Sequence, residues 1–245
     1  MRTTTTQATT SGLAPAGSGK ERGMSPTHAS LIRWAGLSAV LAGLCYVLVG
    51  VLHPENAPAS VTTSAWTIVH MVACAMCVFG LLGMTGLHAR QAEKSGWLGV
   101  VGYILLSIWL MIILAYSFIE AFVLPHSELA SPAFVDGWMG MLNGTASTVD
   151  LGILAMLWTL VGPIYILGGV TFGIATFRAR VLPRAAGLLL AIGTALTPVA
   201  AFLPLAAQPK IAIPVGLALV WLGYAVLAER ATASVPSPGL TLETT

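Results

Sequence analysis

Hydrophobic residues along this chain gather into six long runs that short polar segments separate. Each run approaches the roughly 20 residues that a helix needs to cross a hydrocarbon layer about 30 Å thick. None shows the alternation of polar and apolar positions that barrel strands require, so the runs predict helices. They cover 31–52, 65–87, 97–119, 151–177, 184–204 and 211–228. The sequence therefore predicts an all-α fold: a polytopic membrane helical bundle with six transmembrane helices.

Composition sharpens this picture and sets the domain boundaries. Hydrophobic residues make up 56% of the 245 and charged residues 8%, with a mean hydropathy of +0.86, so the expected partner is a lipid bilayer. Segments 1–30 and 231–245 are rich in small polar residues, glycine and proline. We expect them to be disordered cytoplasmic tails around a transmembrane domain at 31–230. The long polar segment before the first run favours an uncleaved first helix over a secretory leader.

Basic residues fix the expected orientation. Ten lie on one side of the runs and only Lys210 lies on the other; the ten are Arg2, Lys20, Arg22, Arg33, Arg90, Lys94, Arg178, Arg180, Arg184 and Arg230. The positive-inside rule then places both termini in the cytoplasm of a multi-pass protein of a bacterial-type cell membrane. Because the basic residues anchor loops and form no patch, no nucleic-acid partner is expected.

Glycines recur within two of the predicted helices. Gly36, Gly43 and Gly50 are seven residues apart in the first, and Gly169 and Gly173 form a small-xxx-small pair in the fourth. Such spacing predicts close helix contacts. Internal packing is the favoured interpretation, and a homodimer through one of these glycine-rich faces is the alternative.

The segment at 120–150 contains no lysine or arginine and is the longest of the predicted outer loops. A loop of this length is often a lid or a binding segment. Its moderately apolar part at 134–142 predicts a short helix in the membrane interface, with Trp138 at the level of the lipid headgroups.

Ionisable residues gather on the predicted outer side. His53 follows the first run, Glu120 ends the third, His126 lies just beyond it, Asp150 opens the fourth, and His70 lies inside the second. An ionisable residue within a span is costly and is by default a functional hypothesis. Each also has a structural interpretation: His53 with Pro54 ends a helix, and Asp150 is well placed as an N-cap. Apolar neighbours around Glu120 favour the uncharged acid that a general acid requires.

Metal, haem and thiol redox chemistry are the alternatives for the ionisable and cysteine residues. His53, His70 and Glu120 are suitable ligand types for zinc or iron, and the two histidines for haem, but no ligand spacing motif occurs. Cys74 and Cys77 form a C-x-x-C pair, which small-residue packing explains better than redox chemistry because no basic neighbour activates them. No nucleotide-binding or hydrolase motif is present. No cofactor and no metal are expected.

Three segments carry a resemblance. The runs Arg33-Trp34-Ala35-Gly36-Leu37, His53-Pro54 and Phe118-Ile119-Glu120-Ala121-Phe122 resemble uncharacterised six-helix membrane proteins of actinobacterial type, for which no activity is implied. With its paired acids Glu120 and Asp150, the chain is also loosely similar to integral-membrane terpene cyclases. That resemblance implies protonation of an isoprenoid olefin or epoxide by carboxylic acids on different helices. The chain departs from it in predicting six spans where fungal members have seven.

Together these features favour an enzyme that performs non-redox acid–base chemistry, cyclase- or isomerase-like, on a lipophilic small molecule such as an isoprenoid. Glu120 would start the reaction as the acid, and Asp150 or His70 would stabilise charge or remove the final proton. The expected substrate-binding side chains are Trp109, Tyr116, Phe122, Trp158 and His53; aromatic faces stabilise cations. The alternatives are a small proton-coupled carrier and a non-catalytic membrane partner or sensor.

Overall fold

The computed structural model describes residues 26–145 and 149–233, and every regular element in those ranges is helical. The α-helices are α1 (Pro26–Leu52), α2 (Pro58–Val61), α3 (Ser64–Phe118), α4 (Leu124–Ala130), α5 (Pro132–Asn143), α6 (Ile153–Ala179), α7 (Arg184–Ala195) and α8 (Ile213–Ala233). A π-helix covers Ile119–Val123, and 3-10 helices cover Thr197–Phe202 and Leu205–Ala212. Four helical segments are long and apolar enough to cross a membrane: Ser30–Leu52, Ser64–Glu128, Ile153–Ala179 and Ala206–Ala228. The all-helical prediction is confirmed for the described residues.

Helix α3 is a hairpin of two antiparallel arms. Gly96, with φ 56° and ψ −159°, breaks the helical path, and a positive φ of this kind suits glycine because it has no Cβ. Across the arms, the hydroxyls of Thr85 and Tyr103 are 3.0 Å apart, and the Trp66 indole reaches the backbone of Glu120. The arms, 64–95 and 97–118, therefore cover the second and third hydrophobic runs.

The long helices close into a ring. Helix α1 packs against α3 and α8, α6 packs against α3 and α7, and α7 contacts α8. We call the end that carries Gly96 the hairpin end. The opposite end, where α1 finishes, the first arm of α3 begins and α6 begins, is the cavity end.

Small residues bring the backbones of these helices into close approach. A methyl group on Gly43 would lie 2.4 Å from the carbonyl oxygen of Gly216 in α8, and one on Gly173 would lie 2.5 Å from that of Gly187 in α7. The predicted glycine packing is confirmed, because Gly36 and Gly50 also face α8 and Gly169 faces Thr194 of α7. These faces are thus already covered within the chain.

Two predicted boundaries differ from the structure. The run at 184–204 is not one continuous α-helix: α7 ends at Ala195, and Pro198, which lacks a backbone N–H, lies in the 3-10 helix that follows. The predicted tails are shorter, since α1 begins at Pro26 and α8 continues to Ala233. The expectation of disorder otherwise falls on 1–25 and 234–245, which lie outside the described residues.

Candidate acid–base site

A cavity of about 300 Å³ lies at the cavity end, between α1, both arms of α3 and α6. Its volume is at the lower limit of ordinary ligand pockets, about 300 to 1,000 Å³. Four aromatic side chains line it, namely Tyr46, Trp109, Tyr116 and Trp158. Its polar side chains are His53, Asn56, His70, Ser117 and Glu120. The sequence therefore places a few convergent polar groups in an otherwise apolar, aromatic pocket.

Glu120 is the acid of this cavity, and its environment is built from three side chains. Its Oε2 lies 3.3 Å from Nε2 of His70, and its Oε1 accepts a hydrogen bond of 3.3 Å from the indole of Trp138. Its backbone carbonyl accepts another, of 2.8 Å, from the indole of Trp66. Glu120 lies in the π-helix Ile119–Val123, a geometry that is common at functional sites and that loosens the regular helical hydrogen bonding.

His70 has one tautomer available for this arrangement. Its Nδ1 lies 2.7 Å from the backbone oxygen of Trp66, and a carbonyl oxygen can only accept, so Nδ1 carries a hydrogen. The contact between Nε2 and Glu120 then needs one further proton, on either the carboxyl or the imidazole. The two side chains therefore share a single proton, in a place where His70 is 2% and Glu120 8% exposed.

His53 extends this polar group toward the rim. Its ring lies edge-on to His70, with centroids 5.0 Å apart and planes at 77°, and its Nδ1 donates to the carbonyl of Pro54 at 2.7 Å. Burial lowers the pKa of the His53 imidazole, and the hydrogen bond to Pro54 acts in the opposite direction. Its Nε2 is then a free acceptor in the cavity wall.

Aromatic rings fix the geometry from both sides of the cavity. The Tyr116 ring lies 5.4 Å from that of Trp138 and 5.3 Å from that of Trp158, and its hydroxyl donates to the backbone oxygen of Leu154 in α6. Deeper in the bundle, Tyr46 donates to the hydroxyl of Tyr165 at 2.8 Å, and Trp109 stacks on Tyr165 at 4.4 Å. These interactions close the floor of the cavity.

Most of the predicted site residues are brought together. His53, His70, Glu120, Trp109, Tyr116 and Trp158 all line the cavity. The sequence predicted a common side of the bundle only for the ionisable residues among them.

The structure places Asp150 and Phe122 elsewhere. Asp150 is exposed, and its carboxylate accepts a hydrogen bond of 2.8 Å from the amide of Gly152 in the turn before α6. The N-cap of α6 is Gly152, so Asp150 has a local structural role but not the predicted one as N-cap. Phe122 is 43% exposed and packs on Phe118. It lies two residues after Glu120, and residues with that spacing do not share a helix face.

Two tryptophans complete the site, and the sequence interpretation missed the role of both. Trp66 precedes His70 by four residues, so helical spacing could have identified it. The predicted short helix around Trp138 is present as α5. The Trp138 side chain is not at the headgroup level, because it is fully buried in the protein and donates to Glu120. Trp138 and Glu120 come from different elements, and no local pattern in the sequence links them.

The alternatives for metal and redox chemistry find little support in the side-chain arrangement. In the ranges that the structure describes, no three His, Cys, Asp or Glu side chains are grouped so as to hold a metal ion. The Nδ1 atoms of His53 and His70 and the Nε2 of His70 already have partners. Cys77 is buried in the hydrophobic core, in agreement with a packing role for the C-x-x-C pair.

Known proteins offer no further guide to this site. Comparison of the chain with protein-family models, with curated proteins and with solved structures gives no match.

Proposed function

We propose that this chain is a multi-pass protein of the cell membrane that performs non-redox acid–base chemistry on a small lipophilic molecule in the cavity. The observation that carries the proposal is the contact of 3.3 Å between Glu120 and His70, whose other ring nitrogen is committed to a carbonyl. A pair with one shared proton can give that proton to a bound molecule and take one back, which is the requirement for isomerisation or cyclisation.

The topology belongs to the same proposal. Counting the two arms of α3 separately and α7 with the 3-10 helix behind it gives six crossings. The basic residues of the α3 turn and of the α6–α7 connection lie at the hairpin end, so that end faces the cytoplasm together with both termini. The cavity then opens toward the extracytoplasmic side, where a lipophilic substrate enters from the outer leaflet.

Glu120 is the acid in this mechanism. Its proton transfers to an olefin carbon or to an epoxide or carbonyl oxygen of the substrate, and the carboxylate that remains keeps the hydrogen bond from Trp138. The substrate cation rearranges and then loses a proton from another carbon to the same carboxylate. The product is an isomer, and no electrons are exchanged with the protein.

His70 and the aromatic wall have supporting roles. His70 competes for the proton of Glu120 and orients its carboxyl group through the contact with Oε2. The rings of Trp109, Tyr116 and Trp158 line the cavity. Tyr116 and Trp158 would stabilise a cation through their faces, whereas the Trp109 ring stacks on Tyr165 and Tyr46. Asp150 has no part in the mechanism, because it lies in an exposed turn. An isoprenoid is the first substrate class to test.

The test compares the lipophilic molecules in host membranes that contain the wild-type chain, Glu120→Gln or Asp150→Asn, with an isoprenoid supply present. Mass spectrometry should show a new isomer with the wild type and with Asp150→Asn. Glu120→Gln should reduce it at least about 100-fold, the lower limit for loss of a general acid. Equal product from Glu120→Gln, or identical extracts from all three hosts and from a host without the chain, contradicts the proposal.

A further inference from the structure

The side chains that line the cavity indicate which ligand charge it favours. Glu120 is its acid, and none of the described residues that line it is a lysine or an arginine. The two lining histidines each donate an Nδ1 hydrogen to a backbone carbonyl, so they offer no free hydrogen there to a negatively charged ligand. A phosphate or carboxylate would therefore meet few groups that stabilise it.

The aromatic wall favours the opposite charge. Tyr46, Trp109, Tyr116 and Trp158 present rings around the volume that Glu120 borders. The hydroxyl hydrogens of Tyr46 and Tyr116 are committed to Tyr165 and to the Leu154 carbonyl. Ring faces carry partial negative charge, and aromatic cages with a carboxylate are the usual recognition element for substituted ammonium groups.

The surroundings of the mouth add to the same preference. Glu55, Glu128, Asp136 and Asp150 lie in segments at the cavity end, where Lys210 is the basic residue. This excess of acids raises the local concentration of cations near the mouth. This ratio of four acids to one lysine is independent of the cavity wall, so two separate features favour the same ligand charge.

We propose that the cavity binds a lipophilic organic cation, such as a tertiary or quaternary ammonium compound, in exchange for the proton shared by Glu120 and His70. It rests on the proposed function only in using the same site. Because Glu120 has no proton to give while the cation is bound, the cation is a second ligand that competes with the substrate. A bound cation pairs with the ionised Glu120 and leaves His70 neutral. The pair then holds no shared proton, so one proton leaves for each cation that enters.

The groups that face Glu120 determine the pH dependence. They are His70 and Cys74 from the first arm of α3 and Tyr116 from the second arm. His53, which follows α1, contacts His70 and lines the same cavity. Helices α5 and α6 contribute Trp138 and Trp158, which do not titrate. Since no fixed positive charge is among these groups, proton release should come from the pair, and the cation should bind more tightly as the pH rises.

The experiment uses the purified full chain in detergent and titrates it calorimetrically with benzyltrimethylammonium, in two buffers of different ionisation enthalpy. We expect release of about one proton per bound cation and therefore, by linkage, an affinity that increases about 100-fold from pH 6 to pH 8. Neopentylbenzene has the same shape without the charge and should bind at least about tenfold more weakly. Equal binding of the two compounds, or binding without proton release, overturns the proposal.

Three variants locate the effect. Glu120→Gln should lose proton release and at least about tenfold in affinity. Glu93→Gln, which changes an exposed acid at the hairpin end, should behave as the wild type. Trp158→Leu should weaken binding while about one proton is still released per cation; no loss of affinity in this variant contradicts the aromatic cage. An isomer in the membrane extracts without cation binding leaves the enzyme proposal standing and refutes this one. Cation binding with unchanged extracts supports this proposal and refutes the enzyme proposal.

Discussion

The same helices form the middle of the bundle and its cavity end. Their backbones approach closely in the middle and are further apart at the cavity end. In the middle, a methyl group on Gly43 would come within 2.4 Å of the Gly216 carbonyl oxygen, and one on Gly86 within 2.0 Å of the Ala35 Cβ atom. At the cavity end, large aromatic residues and interrupted helices leave about 300 Å³ of space. Small residues thus close one region, and hydrogen-bonded large residues hold the other open.

The buried polar groups of the two regions also differ. Toward the hairpin end, the buried Gln91 amide donates to Thr176 at 2.9 Å, a neutral contact that joins α3 to α6. The cavity end instead buries Glu120 against His70. A neutral pair fixes packing, whereas an acid beside an imidazole can also exchange a proton. The comparison shows how one bundle combines a rigid frame with a reactive pocket.

The largest effect on stability should come from filling the close contact in the middle. Gly43→Leu inserts a side chain against the backbone of α8, which has no room to move, so we expect a loss of about 3 kcal/mol or more in the free energy of unfolding. Thermal unfolding in detergent measures it. Gly162→Leu is the matched control, since nothing lies within 4 Å of a methyl group at that glycine in α6. Equal loss in both variants would contradict the role given to the contact.

A smaller effect should follow at the cavity end from Trp66→Phe. The Glu120 carbonyl would lose its indole donor and remain buried, at a cost of about 1 to 3 kcal/mol. The same thermal measurement applies. Trp97→Phe is the control, because Trp97 is 83% exposed and should change stability by less than about 0.5 kcal/mol. If Trp66→Phe is as neutral as Trp97→Phe, the hydrogen bond does not hold the π-helix in place.

The smallest expected effect is the contribution of His53 to the pH dependence of stability. Burial lowers its folded-state pKa from the ordinary value of 6.5, so the unfolded chain takes up the proton more readily. The stabilisation is therefore complete above pH 6.5 and is lost as the pH falls through the folded-state pKa. His53→Asn should flatten the decrease of the unfolding temperature with acid, and His126→Asn, which changes an exposed histidine, should not. Identical pH profiles for wild type and His53→Asn would refute this.

Much of the helical bundle was predictable from the sequence, because apolar runs and glycine spacing are local signals. Helices in the bundle follow from run length and hydropathy, and Gly43 and Gly173 follow from seven- and four-residue spacing. The break in α7 was the exception. Pro198 lies inside the apolar run at 184–204, and whether a proline bends or ends a helix depends on the neighbouring helices that satisfy the backbone.

The site was predictable only in part. Sequence order places His53, His70 and Glu120 at one end of the bundle, and the structure shows that they also meet. The same reasoning included Asp150, because an end of a bundle is a broad surface and order along the chain carries no distance. Phe122 could have been excluded by helical spacing from Glu120. Trp138 could not have been assigned, since its contact with Glu120 depends on how α5 folds back over the cavity.

The proton shared by Glu120 and His70 is the central claim, and nitrogen NMR of the histidine-labelled chain tests it most directly. The measurement follows both ring nitrogens of His70 in the wild type and in Glu120→Gln between pH 6 and pH 8. We predict that Nδ1 carries a hydrogen in both proteins, and that Nε2 shows a shared proton in the wild type and a simple neutral acceptor in the variant. A His70 with no hydrogen on Nδ1, or an Nε2 signal that Glu120→Gln leaves unchanged, would contradict the account.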